Sequence, residues 1–600
     1  MSLSKLLLLG LFLAMSLVPS ASTQSNKSGR SAGQPAKATP PVGANPLLLK
    51  TMQQELDRAM AALGKSDPAP YFISYSAREK FASVIVASQG ALLASNSRHD
   101  RLADISIRVG NPDLDNTHDE NRASAVITTT LPLEDKADAI ARVLWINTDR
   151  MYKRATQTYL KVKTSTKVRA EEEDSSPDFS KEEPQVAVGT VVQPIQFDQR
   201  IWEERIRSYS TIFTKYPEIE TSSVILQIDN PTRYFVSTEG SRLVSSRPLV
   251  RILALGSTRS ADGMELARSE TFDASSIDKL APEAEIRARI QKIAEDLIKL
   301  RQAPVVEPYS GPALLSGRAA AVFFHEVVGH RLEGQRQRGQ NEGQTFTKKI
   351  NQAVLPSFLS IEDDPTLSTL EGVELSGRYD FDSEGQKSRR VELISDGVLK
   401  EFLMSRMPVK GFLHSNGHGR AQDARMPVGR QGNLIVRSSK SIADSDLRAK
   451  LIEQVKEQGK PYGLYFEDIA GGFTLTMRNL PQAFKIMPLL VWKVYPDGKP
   501  DELVRGVDII GTPLTALNRI VLTGQKIAVF NGECGAESGS VPVSAASPAM
   551  LFSEIEVQKV AQGHDRPPVL PPPPKIAEEK SIAEKSHGDL ILKAMLEELK

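Results

Sequence analysis

Apolar positions along the chain follow two different periods in its two halves. In the first half, Leu49, Met52, Leu56, Met60 and Leu63 recur every three or four residues, the period of one helical face. Asn45-Pro46 supplies a cap and a first-turn proline for that helix, and Gly64 a stop. Phe72–Tyr75, Ser83–Ala87 and Asp104–Val109 are short apolar runs, the last alternating as Ile105, Ile107, Val109, and predict strands. Leu133–Lys163 reads as helical. Trp202, Ile206, Tyr209 and Phe213 mark one further helix, and Ser222–Ile228 and Leu249–Leu255 read as strands. A long stripe of Ile286, Ile290, Ile293, Leu297 and Leu300 ends at Pro304. The order helix, strands, long helix thus occurs in Leu47–Lys163 and again in Asp198–Leu300, as a duplicated unit would show it, without a residue-level repeat.

After a small, apolar stretch with Ser316 as its cap, the pattern changes. Leu332–Phe346 is polar and rich in Gly and Gln, which predicts a mobile loop. Val391–Ile394, Gly397–Lys400 and Phe402–Met404 suggest hairpins. Leu434–Val436, Leu464–Phe466, Phe473–Met477, Leu489–Val494 and Ile527–Val529 continue the strand theme between Gly and Pro turns. The fold class expected is α+β: an amino-terminal helix/sheet domain over 45–303, then a β-rich domain with a curled or barrel-like sheet over 304–555. A charged excursion near 171–184 reads as a solvated loop inserted in the first domain. Residues 556–600 read as a Pro-rich linker and a charged terminal helix.

Composition narrows the function classes. Charged residues make up 25% of the 600 and the net charge is +1, with no domain-scale basic patch, so nucleic acid is not an expected partner. Lys5, the apolar run Leu6–Val18 and the small residues Ser20-Ala21-Ser22 have the form of a cleavable signal peptide over 1–22, too short for a comfortable membrane span. A Ser/Gly/Pro/Lys-rich linker follows over 23–44. These features predict an exported protein, periplasmic or secreted, with no stable membrane span. Such a chain often carries disulfides, yet the sequence has a single cysteine, Cys534, in a glycine-flanked turn. A metal-bound thiolate, a nucleophile and a merely tolerated thiol are all open readings of it.

The candidate chemistry lies in Ala320–Arg336, where His325-Glu326 is followed by His330. Imidazole is the commonest protein ligand for zinc, and an adjacent carboxylate is the usual base for a metal-activated water. In the familiar H-E-x-x-H motif the histidines share one helical face. Here the spacing is H-E-x-x-x-H, which turns roughly 140° round an ideal helix. The two imidazoles meet on one ion only if the helix is distorted, and Gly329, just before the second histidine, is the expected place for a bulge or a break. His325, His330 and Cys534 would form an N2S set with one position left for water, Glu326 the general base and Glu333 a partner orienting an imidazole. A buried helix ending in polar residues is the alternative for the stretch, and a solvated carboxylate for Glu333. His414 and His418, in a Gly-rich loop, are alternative ligands, with a surface or substrate-facing place the expected one. Ser276-Ile-Asp-Lys279 matches the S-x-x-K of some serine hydrolases, a pattern that occurs by chance in long chains.

Several stretches resemble the TldD/PmbA family of metalloproteases: FFHEVVGHRLEG, IEDDPTL, DFDSEGQKSRRVELISDGVLKEFL, Gly471-Gly472 after Tyr-Gly-Leu-Tyr-Phe, and CGAESGSVPVSAASP. The resemblance runs from about Leu47 to Phe552 and centres on the two site motifs. It implies zinc held by His325, His330 and Cys534, with Glu326 catalytic, and a homodimer or a heterodimer with a related chain. It also implies unfolded peptide substrates gripped as an added β-strand. Since the metal motif is whole, the chain resembles the catalytic rather than the metal-free partner of such pairs. It departs from the family's usual Cys-Gly-Lys-x-Gly-Gln, having Cys534-Gly-Ala-Glu-Ser-Gly539. The leading expectation is a zinc-dependent metallopeptidase acting on extended peptides. The alternative is a non-catalytic exported scaffold or peptide-binding protein of the same fold.

Overall fold

Helix α1 (Pro46–Leu63) starts as its sequence dictates: the Asn45 side chain accepts a hydrogen bond from the Leu48 amide, and Pro46 occupies the first turn. In the computed structural model, the described residues are 45–118, 125–166, 174–188, 193–338, 345–476 and 483–560, with Pro568, Leu570, Pro571 and Pro573. The expected signal peptide, the linker before residue 45 and the terminal helix lie outside them. Leu48, Met52 and Leu56 of α1 pack with helix α2 (Ala137–Thr166) on a nine-stranded sheet.

The short strands expected over 72–109 are one long hairpin, β1 (Pro70–Ser88) and β2 (Ala91–Asn111), in antiparallel register from Pro70↔Val109 to Ser88↔Ala91. Polar Arg78-Glu79-Lys80 hides this continuity in the sequence. Within β1, Glu79 binds Arg101 and Lys80 binds Asp229, so cross-strand ion pairs replace apolar burial there. Strand β3 (Val126–Thr130) flanks β2, while β1 pairs with β4 (Thr221–Ser237), and β4 with β5 (Arg242–Ser246) and β6 (Leu249–Arg259). Strand β7 (Glu265–Ala274) pairs with β6. Helices α3 (Gln199–Ser210) and α4 (Glu283–Gln302) cover this part through Trp202, Ile206, Ile290 and Leu297. The two runs of helix, strands, helix therefore share a single sheet, joined at β1–β4.

The second sheet has twelve strands and contains a closed five-stranded barrel. Its members are β8 (Tyr309–Leu315), β12 (Gly463–Thr474), β13 (Phe484–Val494), β14 (Val507–Gly511) and β16 (Gly539–Lys559), and β8 pairs back onto β16. The rest of the sheet extends from β16 through β11 (Asn433–Ser438), β9 (Leu359–Asp363) and β10 (Val391–Ser395). Strand β15 (Ile520–Ala536) forms a long hairpin with β16. Helix α5 (Gly317–Val327) packs against β16, β12 and β15, with the Phe323 ring edge-on to Phe484 and Phe552. Helix α6 (Asp444–Glu457) buries Leu447, Leu451 and Val455 against the outside of the sheet. The two strands expected at 464–466 and 473–477 are one strand, β12, interrupted by bulges around Asp468 and before Gly471. The α+β class and the barrel-like sheet agree with the sequence reading.

Buried charges tie the two parts together. Arg268 of β7 binds Asp468 of β12 at 2.6 Å and Asp296 of α4 at 3.2 Å. Asp468 also meets Arg318, in the first turn of α5, and Arg318 binds Glu270. The described part of the acidic segment, 174–184, is a loop with exposed ends, but its middle is not solvated as expected: Asp178, Phe179 and Ser180 are buried. Asp178 holds His118 and Arg338, and the Phe179 ring lies 3.8 Å from the guanidinium carbons of both Arg108 and Arg406. An aromatic residue among the acids was the available sign that this run packs.

Candidate metal centre

Helix α5 is capped by Ser316, whose hydroxyl accepts from the Ala319 amide, and every residue from Ala319 to Val327 is buried. The α-helical ladder ends at Val327, and a tighter 3-10 turn, Gly329–Leu332, carries His330. This break answers the spacing problem, because it rotates His330 back toward His325; their ring centroids are 5.0 Å apart. Gly329 is required by a close approach: a Cβ there would overlap the Gln431 carboxamide. Arg331 serves the freed helix end, donating to the carbonyls of Val327 at 3.1 Å and Glu326 at 3.4 Å. It also reaches the carbonyls of Leu475 and Ala483 beside the β12–β13 connection.

Cys534 comes from the far end of β15 and is 3% exposed. Its Sγ lies 3.4 Å from Nε2 of His330. One ligand atom from each of His325, His330 and Cys534 lies within 4.8 Å of the others, and no other such cluster occurs among the described residues. The His325 Nδ1 is buried without a hydrogen-bond partner. Burial pushes the Cys534 thiol up, but the charges and hydrogen bonds of His330 and His325 outweigh it and hold it well below the usual thiol range. This shift favours the thiolate, the form that binds metal. Two imidazoles and a sulfur fit zinc with one position left over.

The surrounding carboxylates are unequal. Glu333 is fully buried and binds His330 Nδ1 at 3.0 Å and Arg336 Nε at 2.8 Å. Burial raises its carboxyl, but His330, Arg336 and Arg430 outweigh this and hold it down at about 2. It is the imidazole-orienting partner considered from sequence, not a solvated carboxylate. Glu326 points to the other side, its Oε2 3.9 Å from His330 Nε2. A Cβ on Gly472 of β12 would stand 3.0 Å from the Glu326 Cγ, so only glycine lets that strand pass so close to the carboxylate. From Ile469 to Thr474 the described ladders pair β12 with β13 alone, leaving its other edge free beside Glu326.

The histidines of the 411–420 loop stand apart from the cluster. His414 is exposed near Glu182, whereas His418 is fully buried between Asp363 and Asn416, a structural role instead of the surface or substrate-facing one expected. The Lys279 ammonium binds Ser275 and Glu374, and only its backbone amide meets Ser276, at the carbonyl, so the described contacts give the S-x-x-K match no nucleophile–base pair. Sequence reasoning missed Arg430, which is fully buried and donates to the Cys534 sulfur at 3.1 Å. Its one sequence signal is an arginine between glycine and glutamine just ahead of an apolar strand. It also missed Glu537, in the altered stretch after the cysteine, which binds Gln335 and Arg336 at 3.1 Å each.

Residues 308–559 match the model of the PmbA/TldA metallopeptidase C-terminal domain. A metalloprotease of Archaeoglobus fulgidus is 30% identical over 263 residues, 43% of this chain and 56% of that protein. A zinc metalloprotease TldD homolog of Saccharolobus solfataricus is 25% identical over 249 residues, 41% of this chain and 51% of its own length. The chain spans about half the length of the curated relatives it matches. TldE from Thermococcus kodakarensis superposes with a TM-score of 0.56 at 10% identity, covering 85% of this chain and 100% of that one, a likeness of fold alone.

Proposed function

We propose that this protein, whose residues 308–559 form a domain of the PmbA/TldA metallopeptidase kind, is a zinc-dependent peptidase that hydrolyses extended peptides. His325, His330 and Cys534 are the ligands and Glu326 the catalytic base. The observation that carries this reading is the convergence of three ligand atoms within 4.8 Å from positions 204 residues apart, with the His325 Nδ1 left unpartnered. Bound zinc would supply a Lewis acid and a water of lowered pKa. The Glu326 carboxylate takes a proton from the attacking water and delivers it to the leaving amine nitrogen. Glu333 holds the His330 ring through Nδ1, so the ligand nitrogen of that ring is Nε2. An extended peptide adds to the free edge of Ile469–Thr474, where Gly472 brings its backbone beside Glu326; main-chain hydrogen bonds then bind it with little side-chain selectivity.

The signal-like segment 1–22 supports action outside the cytoplasm. The family resemblance supports a dimer, with itself or with a related chain. Fractionation of native cells addresses the first, and recovery of the uncleaved chain in the cytoplasm contradicts it. Digestion of a mixed unfolded-peptide pool addresses the activity. Cleavage should stop with a chelator and return with added zinc; cleavage indifferent to the chelator contradicts the proposal.

A further inference from the structure

One buried guanidinium touches both ends of the candidate metal site. Arg430 Nη2 donates to the Cys534 sulfur at 3.1 Å and to the carbonyl of the same residue at 2.6 Å. Its Nη1 donates to Ser538 Oγ at 2.8 Å and to the Gly539 carbonyl at 3.0 Å, which fixes the turn between β15 and β16. On the other side its Nε faces Glu333 Oε1 at 3.4 Å, the same oxygen that receives His330 Nδ1. Arg430 itself is fully buried. Its planar fork can serve a sulfur and a carboxylate at once, which a lysine ammonium, a point charge on a flexible stem, cannot do in one geometry.

We propose that Arg430 is the positioning residue of this metal centre. It couples the cysteine ligand, on the late hairpin, to the histidine ligand of the broken helix, through Glu333, so that neither can shift independently. The inference rests on the metal-site reading above. Its chemistry is specific. A hydrogen bond to a ligating thiolate lowers the energy of the sulfur lone pair and weakens its donation. The guanidinium also offsets the charge of the buried carboxylate and sulfur that sit on the two nitrogens of the His330 ring. Apart from the two histidines, no other ionisable side chain meets the sulfur among the described contacts, and the adjoining Glu537 turns instead to Gln335 and Arg336.

The test compares wild type, Arg430→Lys, Glu333→Gln and Cys534→Ser in the full-length protein. Zinc affinity is read by competition with a chromophoric chelator, and the cobalt-substituted proteins by the thiolate-to-cobalt charge-transfer band. Arg430→Lys keeps the charge and, judged by far-ultraviolet circular dichroism and urea midpoint, should remain folded. It should lose about 10–100-fold in zinc affinity, the usual cost of an outer partner, and its charge-transfer band should move to lower energy as the sulfur loses its donor. Glu333→Gln should lose affinity to a similar degree without that band shift, since it leaves the Arg430–sulfur bond in place. Unchanged affinity and band in a folded Arg430→Lys overturn the inference while leaving the metal site standing. If wild type binds no metal, or Cys534→Ser keeps the band, the metal-site reading fails and the inference falls with it.

Discussion

The Sγ of Cys534 and the Nε2 of His330 lie 3.4 Å apart although 204 residues separate them. The broken end of helix α5 brings one group to this point and the tip of the β15–β16 hairpin brings the other. If the pair is half of a zinc site, Cys534→Ala removes a ligand and not merely a neighbour. Its zinc affinity should fall by roughly 100-fold or more, beyond the range of an outer-partner change. Metal content after dialysis against a weak chelator checks this, and stoichiometric zinc in the variant contradicts it.

Glu326 differs from the ligands in having its carboxylate free of any hydrogen bond to them, 3.9 Å from His330 and under the Gly472 backbone. Glu326→Gln should therefore bind zinc as wild type does while turnover of an unfolded peptide drops by about 10²–10⁴-fold, the usual share of a general base. Loss of metal and activity together would move Glu326 from proton transfer to ligation.

The amino-terminal part reaches the site through charge. Arg268 holds Asp468, and Asp468 holds Arg318 in the first turn of the motif helix. Arg268→Met leaves two buried carboxylates, Asp468 and Asp296, short of a partner, which costs about 3–5 kcal/mol. The urea midpoint should fall accordingly, and the double variant Arg268→Met with Asp468→Asn should recover part of the loss. Additive losses in the double variant contradict a direct coupling.

Much of this was legible in the sequence. The caps at Asn45 and Ser316, the stripe of Ile286 to Leu300 and the breaking role of Gly329 are local signals, set by neighbours a few residues away. The long hairpin of β1 and β2 was not, because Glu79 and Lys80 interrupt its apolar pattern and find partners on adjacent strands, which no local period records. The same holds for Asp178 and Phe179, buried in a run that composition marks as solvated, and for His418, whose partner Asp363 lies 55 residues away. Arg430 was invisible for the same reason: a buried charge is explained only by what surrounds it.

The buried Asp382 and the half-buried Glu384 form an acidic pair away from the cysteine. Burial, and for Glu384 the neighbouring Asp382 charge, raise both carboxyls above their ordinary range, although Asp382 accepts amides from Glu384, Gln386 and Gly419 and Glu384 the amide of Arg406. A raised folded value means the folded state holds more protons than the unfolded one. The stability this confers is full below the unfolded value of about 4.3 and is lost as pH rises through the folded values. The unfolding free energy from urea titration should thus decline from about pH 5 to about pH 8, by an amount on the order of 1–3 kcal/mol. Glu384→Gln should flatten the profile and gain at the alkaline end. A variant profile parallel to wild type contradicts the assignment.

Zinc content and peptide hydrolysis, measured on the same preparation of wild type and of Glu326→Gln, test the central claim most directly. The account predicts one zinc per chain in both proteins and chelator-sensitive hydrolysis in wild type alone. Wild type free of zinc, or equal hydrolysis in the two proteins, would contradict it.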